Sequence, residues 1–409
     1  MRDILHCDLN NFYASCECLN RPELKNLPVA VCGSQKERHG IVLAKNMVAK
    51  NLGIKTGMSN FEALKICKNL VIFTPDFEKY IKYSSIVRSI YLKYTDMVEP
   101  FGIDECWLDI THSKIFGTPF DIAEKIRKEV FNTTGLTISV GVSFNKIFAK
   151  IGSDYKKPNA ITVITKENYK DIVWKLKIED MLGVGSKTKQ KLNKMGIFTI
   201  GELANVDKDF LIKKFKKWGE YLYNYANGLD SSPVENYYQG KKVKSVGNST
   251  TYYKDLTNER EVLIGLSTLC DSITERLIRH GINAPKTLHL SIKNSNLETI
   301  SKQTKISPTI NSNALCKFAF KLFKEMYSFD LPVRKLGISV SNFTNSNHQL
   351  SFFENNNKEN NKNQIDITIN QIKQKYGKEF LTHGNFLYDK KLGKPFDHDI
   401  LDINYQVKQ

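Results

Sequence analysis

The sequence lacks several features that would place it in common functional classes. Its eight cysteines are scattered, and only Cys16 and Cys18 stand close together, so no second pair completes a zinc site. No apolar run is long enough to cross a bilayer, and no stretch has the pattern of a signal peptide. We therefore expect reduced thiols, a cytoplasmic location and no contact with a membrane.

Negative charge is scarce relative to positive charge. The 409 residues include 60 lysines and arginines against 43 aspartates and glutamates, which gives a net charge of +17. This balance favours a polyanionic partner, most often nucleic acid, over the alternative of a basic surface without such a partner. A hydrophobic fraction of 41% supports real cores, and the length predicts three or four domains.

Two short acidic segments follow apolar runs that resemble β-strands. Asp8 comes directly after residues 4–7, and Asp104 and Glu105 lie between the apolar pairs 97–98 and 106–107. Carboxylates gathered from separate strand ends suit divalent metals with oxygen ligands, and two such metals can assist phosphoryl transfer. The alternative is solvated loop acids, which we disfavour because unpaired carboxylates beside buried apolar residues are costly.

The apolar periodicity predicts an α+β architecture with a largely antiparallel sheet in the first part of the chain. Predicted strands are 3–8, 29–32, 41–43, 137–142 and 160–164, with a hairpin at 98–111. Predicted helices are 11–19, 46–52, 61–68, 80–94, 123–131 and 146–155. Residues 172–227 are predicted to be all helical.

A second α+β unit is predicted after an exposed linker at 229–243. Its helices are 259–280 and 312–327, and residues 287–292 and 335–340 alternate as half-buried strands do, within a sheet of about four strands. The Asn/Lys tract 354–363 is expected to be disordered. A modest helix is predicted at 366–376.

Several motifs, in order and spacing, resemble those of the Y-family, or translesion, DNA polymerases. They are Asp8 to Glu17, Gly102 to Glu105, Ser139 to Lys150, and Lys156 to Asn159. The resemblance covers roughly residues 1–345 and implies an α+β multidomain right-hand polymerase. It has a ferredoxin-like palm, small fingers, a helical thumb with a helix-hairpin-helix, and an α+β little finger. The implied bounds are palm 1–20 and 75–165, fingers 21–74, thumb 166–230, linker 231–243, little finger 244–345 and tail 346–409.

The resemblance also implies catalytic and metal-binding residues. Asp8 and Asp104 would bind two Mg²⁺ ions, and the backbone carbonyl of Leu9 would complete one of the sites. Glu105 would help to hold the metal that lowers the pKa of the primer 3′-hydroxyl. These roles agree with the charge neutralisation and in-line attack that phosphoryl transfer requires.

Nucleotide-binding residues are implied in the same way. Tyr13 would stack under the deoxyribose and block a 2′-hydroxyl, so that it acts as a steric gate. Phe12 is assigned to the same pocket, although it is expected to pack inward. Lys157 would reach the triphosphate, with a solvated lysine as its alternative. Lys50 stands where many relatives have an arginine, and it lacks the guanidinium that makes two parallel hydrogen bonds. Met47 cannot donate a hydrogen bond to a phosphate.

A glycine-rich turn is predicted to contact the DNA backbone. Gly183, Gly185 and Lys187 belong to a stretch that resembles a helix-hairpin-helix turn, where backbone amides and a helix N-terminus favour a phosphate. The alternative is a tight interhelical turn without DNA. Contacts to phosphates would position the duplex without reading its sequence.

A short apolar peptide follows the predicted little finger. Gln349, Leu350, Phe352 and Phe353 resemble the pentapeptide by which bacterial polymerases bind the sliding clamp. A tether would raise its local concentration near the clamp. The alternative is a hydrophobic strand end.

The favoured function is a template-directed, Mg²⁺-dependent DNA polymerase of low fidelity that extends primers past lesions in DNA repair and damage tolerance. No separate stretch resembles a proofreading exonuclease. The expected partners are primer–template DNA, dNTPs and a sliding clamp, and the protein is expected to be monomeric. The fingers, with Cys106 and Trp107, resemble the UmuC-like branch more than the DNA polymerase IV branch, and lesion preference stays open.

Two other classes compete with this interpretation. A non-enzymatic DNA-binding accessory would usually have lost a carboxylate, whereas Asp8, Asp104 and Glu105 are all present. A two-metal nuclease does not suit the aromatic gate at Tyr13 or the lysines near Lys157.

Overall fold

The structure is a computed structural model that describes residues 2–34, 40–239 and 243–344 and parts of the C-terminal region. Those parts are residue 365 and residues 367–373, 375–377, 380–382 and 384–394. The described residues form two compact units, one of residues 2–33 and 41–239, the other within 243–394. The clamp-like peptide at 349–353 and the Asn/Lys tract lie outside the described residues. No described helix is long and apolar enough to span a membrane.

The first unit contains eight strands and eleven α-helices among its described residues. The strands are β1 (Ile4–Leu9), β2 (Val29–Cys32), β3 (Val42–Lys45), β4 (Val71–Phe73), β5 (Val98–Pro100), β6 (Glu105–Asp109), β7 (Ile138–Ser143) and β8 (Ile161–Ile164). The helices are α1 (Phe12–Cys18), α2 (Met47–Asn51), α3 (Asn60–Ile66), α4 (Phe77–Tyr91), α5 (Pro119–Thr134), α6 (Lys146–Tyr155), α7 (Tyr169–Ile172), α8 (Ser186–Asn193), α9 (Ile200–Ala204), α10 (Lys208–Phe215) and α11 (Lys217–Ala226).

A five-stranded sheet with the order β5-β6-β1-β7-β8 is the centre of this unit. Its pairs are antiparallel except for the parallel pair β7–β8. Because side chains alternate along β1, Leu5, Cys7 and Leu9 enter the core shared with α4 and α5. His6 and Asp8 point to the opposite face, where they meet α6.

Helix α6 lies unusually close to the sheet because two glycines face each other. A Cβ on Gly141 of β7 would lie 1.8 Å from the carbonyl oxygen of Ala149, and one on Gly152 would lie 3.0 Å from the Cα of Gly141. Asn145 caps the helix, since its Oδ1 accepts from the backbone N–H of Phe148 at 2.8 Å. These two glycines therefore set the distance between α6 and the sheet face that carries Asp8.

A second sheet, with the order β3-β2-β4, lies between α1 and α4 in the chain. Its strand β4 pairs in parallel with β2 and was not predicted, because three half-exposed residues carry no periodic signal. Helices α2 and α3 accompany this sheet, and α3 begins with a capping box between Ser59 and Glu62.

Helices α7 to α11 follow the five-stranded sheet, as predicted for residues 172–227. Their core includes Leu192, Ile200, Leu203 and Leu222, all fully buried.

The start of the predicted linker is bonded to the first unit through its backbone, although most of its side chains are exposed. The guanidinium of Arg2 donates to the backbone carbonyls of residues 230–232 at 2.7 to 3.3 Å. Val234 is 1% exposed and packs with Ile4 and Trp107. Most side chains of residues 229–239 are exposed, as expected of a linker, but the polar sequence conceals one buried valine and backbone groups that bond to the first unit. We call residues 230–237 the return segment.

The second unit has four strands and two long helices among its described residues. They are β9 (Ser245–Leu256), β10 (Pro285–Asn294), β11 (Thr299–Lys305), β12 (Val333–Phe343), α12 (Glu259–Arg279) and α13 (Ser312–Met326). The strands form one antiparallel sheet with the order β11-β10-β12-β9. Phe386 and Leu392 from the C-terminal part complete its core. The predicted α+β multidomain fold is confirmed.

Candidate active site

Two strand ends bring the acidic residues together. In the antiparallel pair β1–β6, Asp8 lies directly opposite Glu105. The backbone N–H of Leu9 donates to the carbonyl oxygen of Asp104 at 3.0 Å, which fixes the turn before β6. Arg88 of α4 also supports this turn, because it donates to the carbonyl of Gly102 at 2.8 Å.

Two lysines surround the carboxylate of Asp8, which is 4% exposed. The Nζ of Lys157 lies 2.6 Å from Asp8 Oδ2, and the Nζ of Lys150 lies 3.1 Å from the same oxygen. Lys150 also lies 2.9 Å from Glu105 Oε1. Burial opposes the positive charge of Lys150, but Asp8 and Glu105 outweigh it and raise its pKa above the ordinary value.

The other oxygen of Glu105 faces a buried histidine. His6 Nε2 lies 3.4 Å from Glu105 Oε2, and His6 Nδ1 lies 2.8 Å from the hydroxyl oxygen of Ser153 in α6. Burial, and next the charge of Lys150, lowers the pKa of His6 well below its ordinary value, so the ring is neutral at pH 7. Ligand atoms of His6, Asp8 and Glu105 lie within 4.8 Å of one another, which makes them a candidate metal-binding group.

The carboxylate of Asp104 lines the same cleft but is not a member of that group. Burial, and next the charges of Asp8 and Glu105, raises the pKa of Asp104 to about 6. Glu105 Oε2 is buried without a hydrogen-bond partner. A carboxyl group held near two others, and a carboxylate oxygen without a donor, fit a divalent cation with oxygen ligands.

The predicted steric gate lies in the cleft beside these carboxylates. Tyr13, on α1, is half-buried and stacks on Tyr80 with ring centroids 4.4 Å apart and planes 15° apart. Phe77 meets it edge-on at 6.0 Å. Phe12 is 3% exposed and belongs to the core, in line with the inward packing expected for it.

The segment from residue 21 to residue 74 contributes a lysine that the sequence did not single out. Lys45 and Thr56 line the cleft, and Lys45 Nζ donates to the hydroxyl oxygen of Thr56 at 2.8 Å. Burial, and next the charge of Lys50, lowers the pKa of Lys45. Lys50 itself is exposed on α2 and is not among the residues that line the cleft.

The glycine-rich turn in the helical segment is open on one side. Gly183 has φ +85° and packs against Trp218, so it needs the freedom of glycine. Gly185 precedes α8, and a Cβ there would meet nothing within 4 Å. Lys187 is exposed on the first turn of α8. The element before the turn is a short 3-10 helix, Ile178–Asp180, rather than a full α-helix.

Sequence reasoning missed three residues that the structure places at the site: His6, Lys45 and Lys150. Lys150 lies within a quoted motif, and its spacing from Asp154 on α6 allows an ion pair, which the structure has at 3.2 Å. This spacing of four residues is a signal in the sequence that could have identified Lys150. No comparable signal marks His6, whose partner Ser153 is 147 positions away, or Lys45, whose partner Thr56 lies in the turn that follows α2.

Known protein families match most of the chain. The profile described as the impB/mucB/samB family matches residues 7–154, and the profile of its C-terminal domain matches residues 243–352. A third profile, described as the thumb domain of DNA polymerase-iota, matches residues 179–230.

Similar proteins include two bacterial sequences named DNA polymerase IV. The one from Acetivibrio thermocellus is 43% identical over 96% of this chain and 99% of its own length. The one from Clostridium kluyveri is 37% identical over 95% of this chain and 99% of its own length. These names overturn the expected resemblance to the UmuC-like branch. Cys106 and Trp107 are thus too few residues to distinguish branches within one fold.

Solved structures agree with these sequence matches. A Y-family DNA polymerase chimera is 27% identical, has a TM-score of 0.75, and is aligned over 83% of this chain and 99% of its own. An insertion ternary complex of Dbh DNA polymerase is 26% identical, has a TM-score of 0.60, and is aligned over the same shares of the two chains.

Proposed function

The chain belongs to the DNA polymerase IV group of the Y family, which are translesion DNA-directed DNA polymerases, and we propose that Asp8, Asp104 and Glu105 hold Mg²⁺ for nucleotide addition. The observation that carries this proposal is the antiparallel alignment of Asp8 with Glu105 beside the turn at Asp104. Leu9, which lines the same cleft, would supply a backbone carbonyl. Two bound Mg²⁺ ions would lower the pKa of the primer 3′-hydroxyl and neutralise charge on the triphosphate.

Other residues bind and orient the nucleotide in this proposal. Tyr13, held by Tyr80 and Phe77, excludes a 2′-hydroxyl from the floor of the cleft, and Phe12 supports it from the core. Lys157 exchanges Asp8 for a phosphate oxygen of the incoming dNTP. Lys45 and Thr56, which line the same cleft, replace Lys50 as the proposed nucleotide contacts from residues 21–74.

The domain assignment is also a proposal. Strands β1 and β5 to β8, which form one sheet, fall within the palm ranges 1–20 and 75–165, and the sheet β3-β2-β4 falls within the fingers range 21–74. The helical segment to residue 230 is the thumb, where Gly183, Gly185 and Lys187 would contact the DNA backbone. The unit after residue 243 is the little finger.

The remaining parts of the proposal rest on sequence. Gln349, Leu350, Phe352 and Phe353 would bind a sliding clamp, and the protein would act as a monomer of low fidelity. A cytoplasmic location is supported by the eight cysteines, all of which are free thiols.

Primer extension tests the central claim. Purified protein with Mg²⁺ and dNTPs should extend a primer on undamaged and abasic templates, and Asp104→Ala should abolish extension. Asp109→Ala, which changes a carboxylate at the other end of β6, is the matched control and should stay active. Retained DNA binding without extension would favour the accessory alternative, and shortening of the primer would favour the nuclease.

A further inference from the structure

Lys150 makes more contacts with carboxylates than the other lysine of the site. Its Nζ lies 3.1 Å from Asp8 Oδ2, 2.9 Å from Glu105 Oε1 and 3.2 Å from Asp154 Oδ2. An ammonium group has three protons, so each can be donated to a different carboxylate. Lys157 contacts Asp8 and Asp154, at 2.6 and 2.7 Å, but only Lys150 joins Asp8 to Glu105.

The two lysines also differ in their access to the cleft. Lys157 lines the cleft together with Tyr13 and Asp104, and its side chain is 27% exposed. Lys150 is not among the lining residues, and its side chain is 14% exposed. A phosphate that entered the cleft would therefore meet Lys157 first.

Lys150 lies where two like charges would otherwise repel each other. Asp8 and Glu105 are directly opposite on adjacent antiparallel strands, and like charges in that arrangement are destabilising. The ammonium of Lys150 lies within hydrogen-bond distance of both carboxylates and offsets that repulsion.

The backbone that carries Lys150 has little freedom to move. The neighbouring Ala149 is in direct contact with Gly141 of β7, and Ser153, one turn further, is hydrogen-bonded to His6 of β1. The position of the ammonium is therefore set by the packing of α6 on the sheet.

We propose that Lys150 is a positioning residue that holds Asp8 and Glu105 at a fixed separation for divalent metal, whereas Lys157 is the lysine that meets the triphosphate. This inference rests on the proposed function of the carboxylates. A resident ammonium also competes with the metal for the same oxygens. Lys150 therefore improves geometry at the expense of metal affinity.

The first test measures metal binding without catalysis. The rise in unfolding temperature on addition of Mg²⁺ reports binding to the folded state. We expect Lys150→Met to bind Mg²⁺ about 3-fold or more tightly than the unchanged protein, because the competing charge is gone. A Mg²⁺-induced rise equal to or smaller than that of the unchanged protein would overturn the inference.

Lys146→Met is the matched control for this test. Lys146 lies on the same helix and pairs with Glu99 at 2.5 Å, away from Asp8 and Glu105. Its loss should lower the unfolding temperature but leave the Mg²⁺-induced rise unchanged. If Lys150→Met does not fold, Lys150→Arg keeps the charge and should retain a Mg²⁺ response within about 2-fold of the unchanged protein. A larger change in that variant would count against the inference.

The second test separates positioning from nucleotide binding. In steady-state primer extension, Lys150→Met should lower kcat about 100-fold with little change in the KM for dNTP, since small errors of geometry have effects of this size. Lys157→Met should raise that KM. A raised KM in Lys150→Met would make Lys150 a triphosphate ligand and overturn the inference. Absence of extension by the unchanged protein would instead refute the proposed function, and the Mg²⁺ test would still decide the role of Lys150.

Discussion

At the scale of single residues, the packing around Tyr13 suits the steric-gate role proposed for it. Its ring is fixed by a stacked contact with Tyr80 and an edge contact with Phe77, so it cannot move aside without breaking both. Burial, and next the charge of Asp104, raises the pKa of its hydroxyl to about 12, so the hydroxyl stays protonated at neutral pH. A neutral, rigid ring is suited to exclude a sugar hydroxyl by volume.

Replacement of Tyr13 should change sugar selection more than polymerisation. We expect Tyr13→Ala to raise incorporation of ribonucleotides relative to deoxyribonucleotides by about 100-fold or more, a discrimination of roughly 3 kcal/mol. Tyr13→Phe keeps the ring and should keep the selection. Competition between rATP and dATP in primer extension measures both variants. Unchanged selection in Tyr13→Ala would remove this residue from the gate role.

Asp104 gives the site a pH dependence with a definite sign. Its pKa is raised in the folded state to about 6 from an ordinary value of 3.8, so the folded state binds this proton more tightly than the unfolded chain. Without Mg²⁺, the contribution of Asp104 to the free energy of unfolding should be most favourable below about pH 4. It should be lost as the pH rises through 6.

Asp104→Asn tests this dependence by removing the charge. In Mg²⁺-free buffer at pH 7 the variant should be more stable than the unchanged protein, by at most about 3 kcal/mol. The difference should disappear near pH 4. Chemical unfolding at a series of pH values measures it. A variant that is less stable at pH 7 would contradict the raised pKa.

The sequence predicted the carboxylates of the site but not the residues that hold them. Asp8, Asp104 and Glu105 were found because each follows or begins an apolar run. Lys150 contacts Asp8 and Glu105, which lie 142 and 45 positions away in the chain, and His6 contacts Ser153, 147 positions away. A local pattern does not record such contacts. The identity of the proposed metal ligands is thus easier to predict from the sequence than the contacts that position them.

At the scale of elements, the contact between β7 and α6 determines where Lys150 lies. Gly141 has no space for a side chain, because a Cβ would overlap the backbone of Ala149 and approach the N–H of Ser153 to 2.5 Å. Both atoms are backbone, so neither can rotate away. A shift of α6 would move Lys150 together with Ser153.

Gly141→Ala should therefore destabilise the first unit strongly. We expect a loss of about 3 kcal/mol or more in the free energy of unfolding, since overlap with backbone cannot be relieved by a rotamer change. Gly384→Ala is a control, because a Cβ at that position meets nothing within 4 Å. It should change stability by less than about 0.5 kcal/mol. Urea unfolding of the two variants compares them directly.

Element positions were predicted well where periodic patterns were long. The predicted helix 146–155 has the same bounds as α6, and the predicted helices 259–280 and 312–327 differ from α12 and α13 by one residue. Strand β4 was missed because it is only three residues long and depends on pairing with β2. The parallel pair β7–β8 was not foreseen either, since direction is set by the path of α6 between the strands.

At the scale of the whole molecule, the return segment joins distant parts of the chain. Besides the bonds from Arg2, the backbone N–H of Glu235 donates to Glu99 at 3.1 Å, and the N–H of Tyr237 donates to the carbonyl of Asp96 at 3.0 Å. Glu99 also pairs with Lys146 of α6. A stretch with the composition of a linker is thus part of the packing of the first unit.

Val234→Asp distinguishes a packed segment from a linker. We expect it to lower the free energy of unfolding of the first unit by about 3 kcal/mol, because an unpaired carboxylate would be buried between Ile4 and Trp107. Ser231→Asp introduces the same charge at an exposed position and should have little effect. Scanning calorimetry of both variants measures the difference. Equal unfolding temperatures would mean that the segment behaves as a linker in solution.

The return segment has a consequence for the order in which the protein is made. Every carboxylate and lysine proposed for the chemical step lies within residues 8–157. These residues are therefore synthesised before the return segment. Val234 and its neighbours, which cover Ile4 and Trp107, emerge about 80 residues later, a delay of several seconds at ordinary rates of translation. During that interval a nascent chain already contains all the residues of the proposed catalytic centre, but one apolar part of its sheet is still uncovered. A chaperone that binds apolar surface could bind there during this interval. Its binding surface would be covered once residue 237 has left the exit tunnel and the return segment has packed.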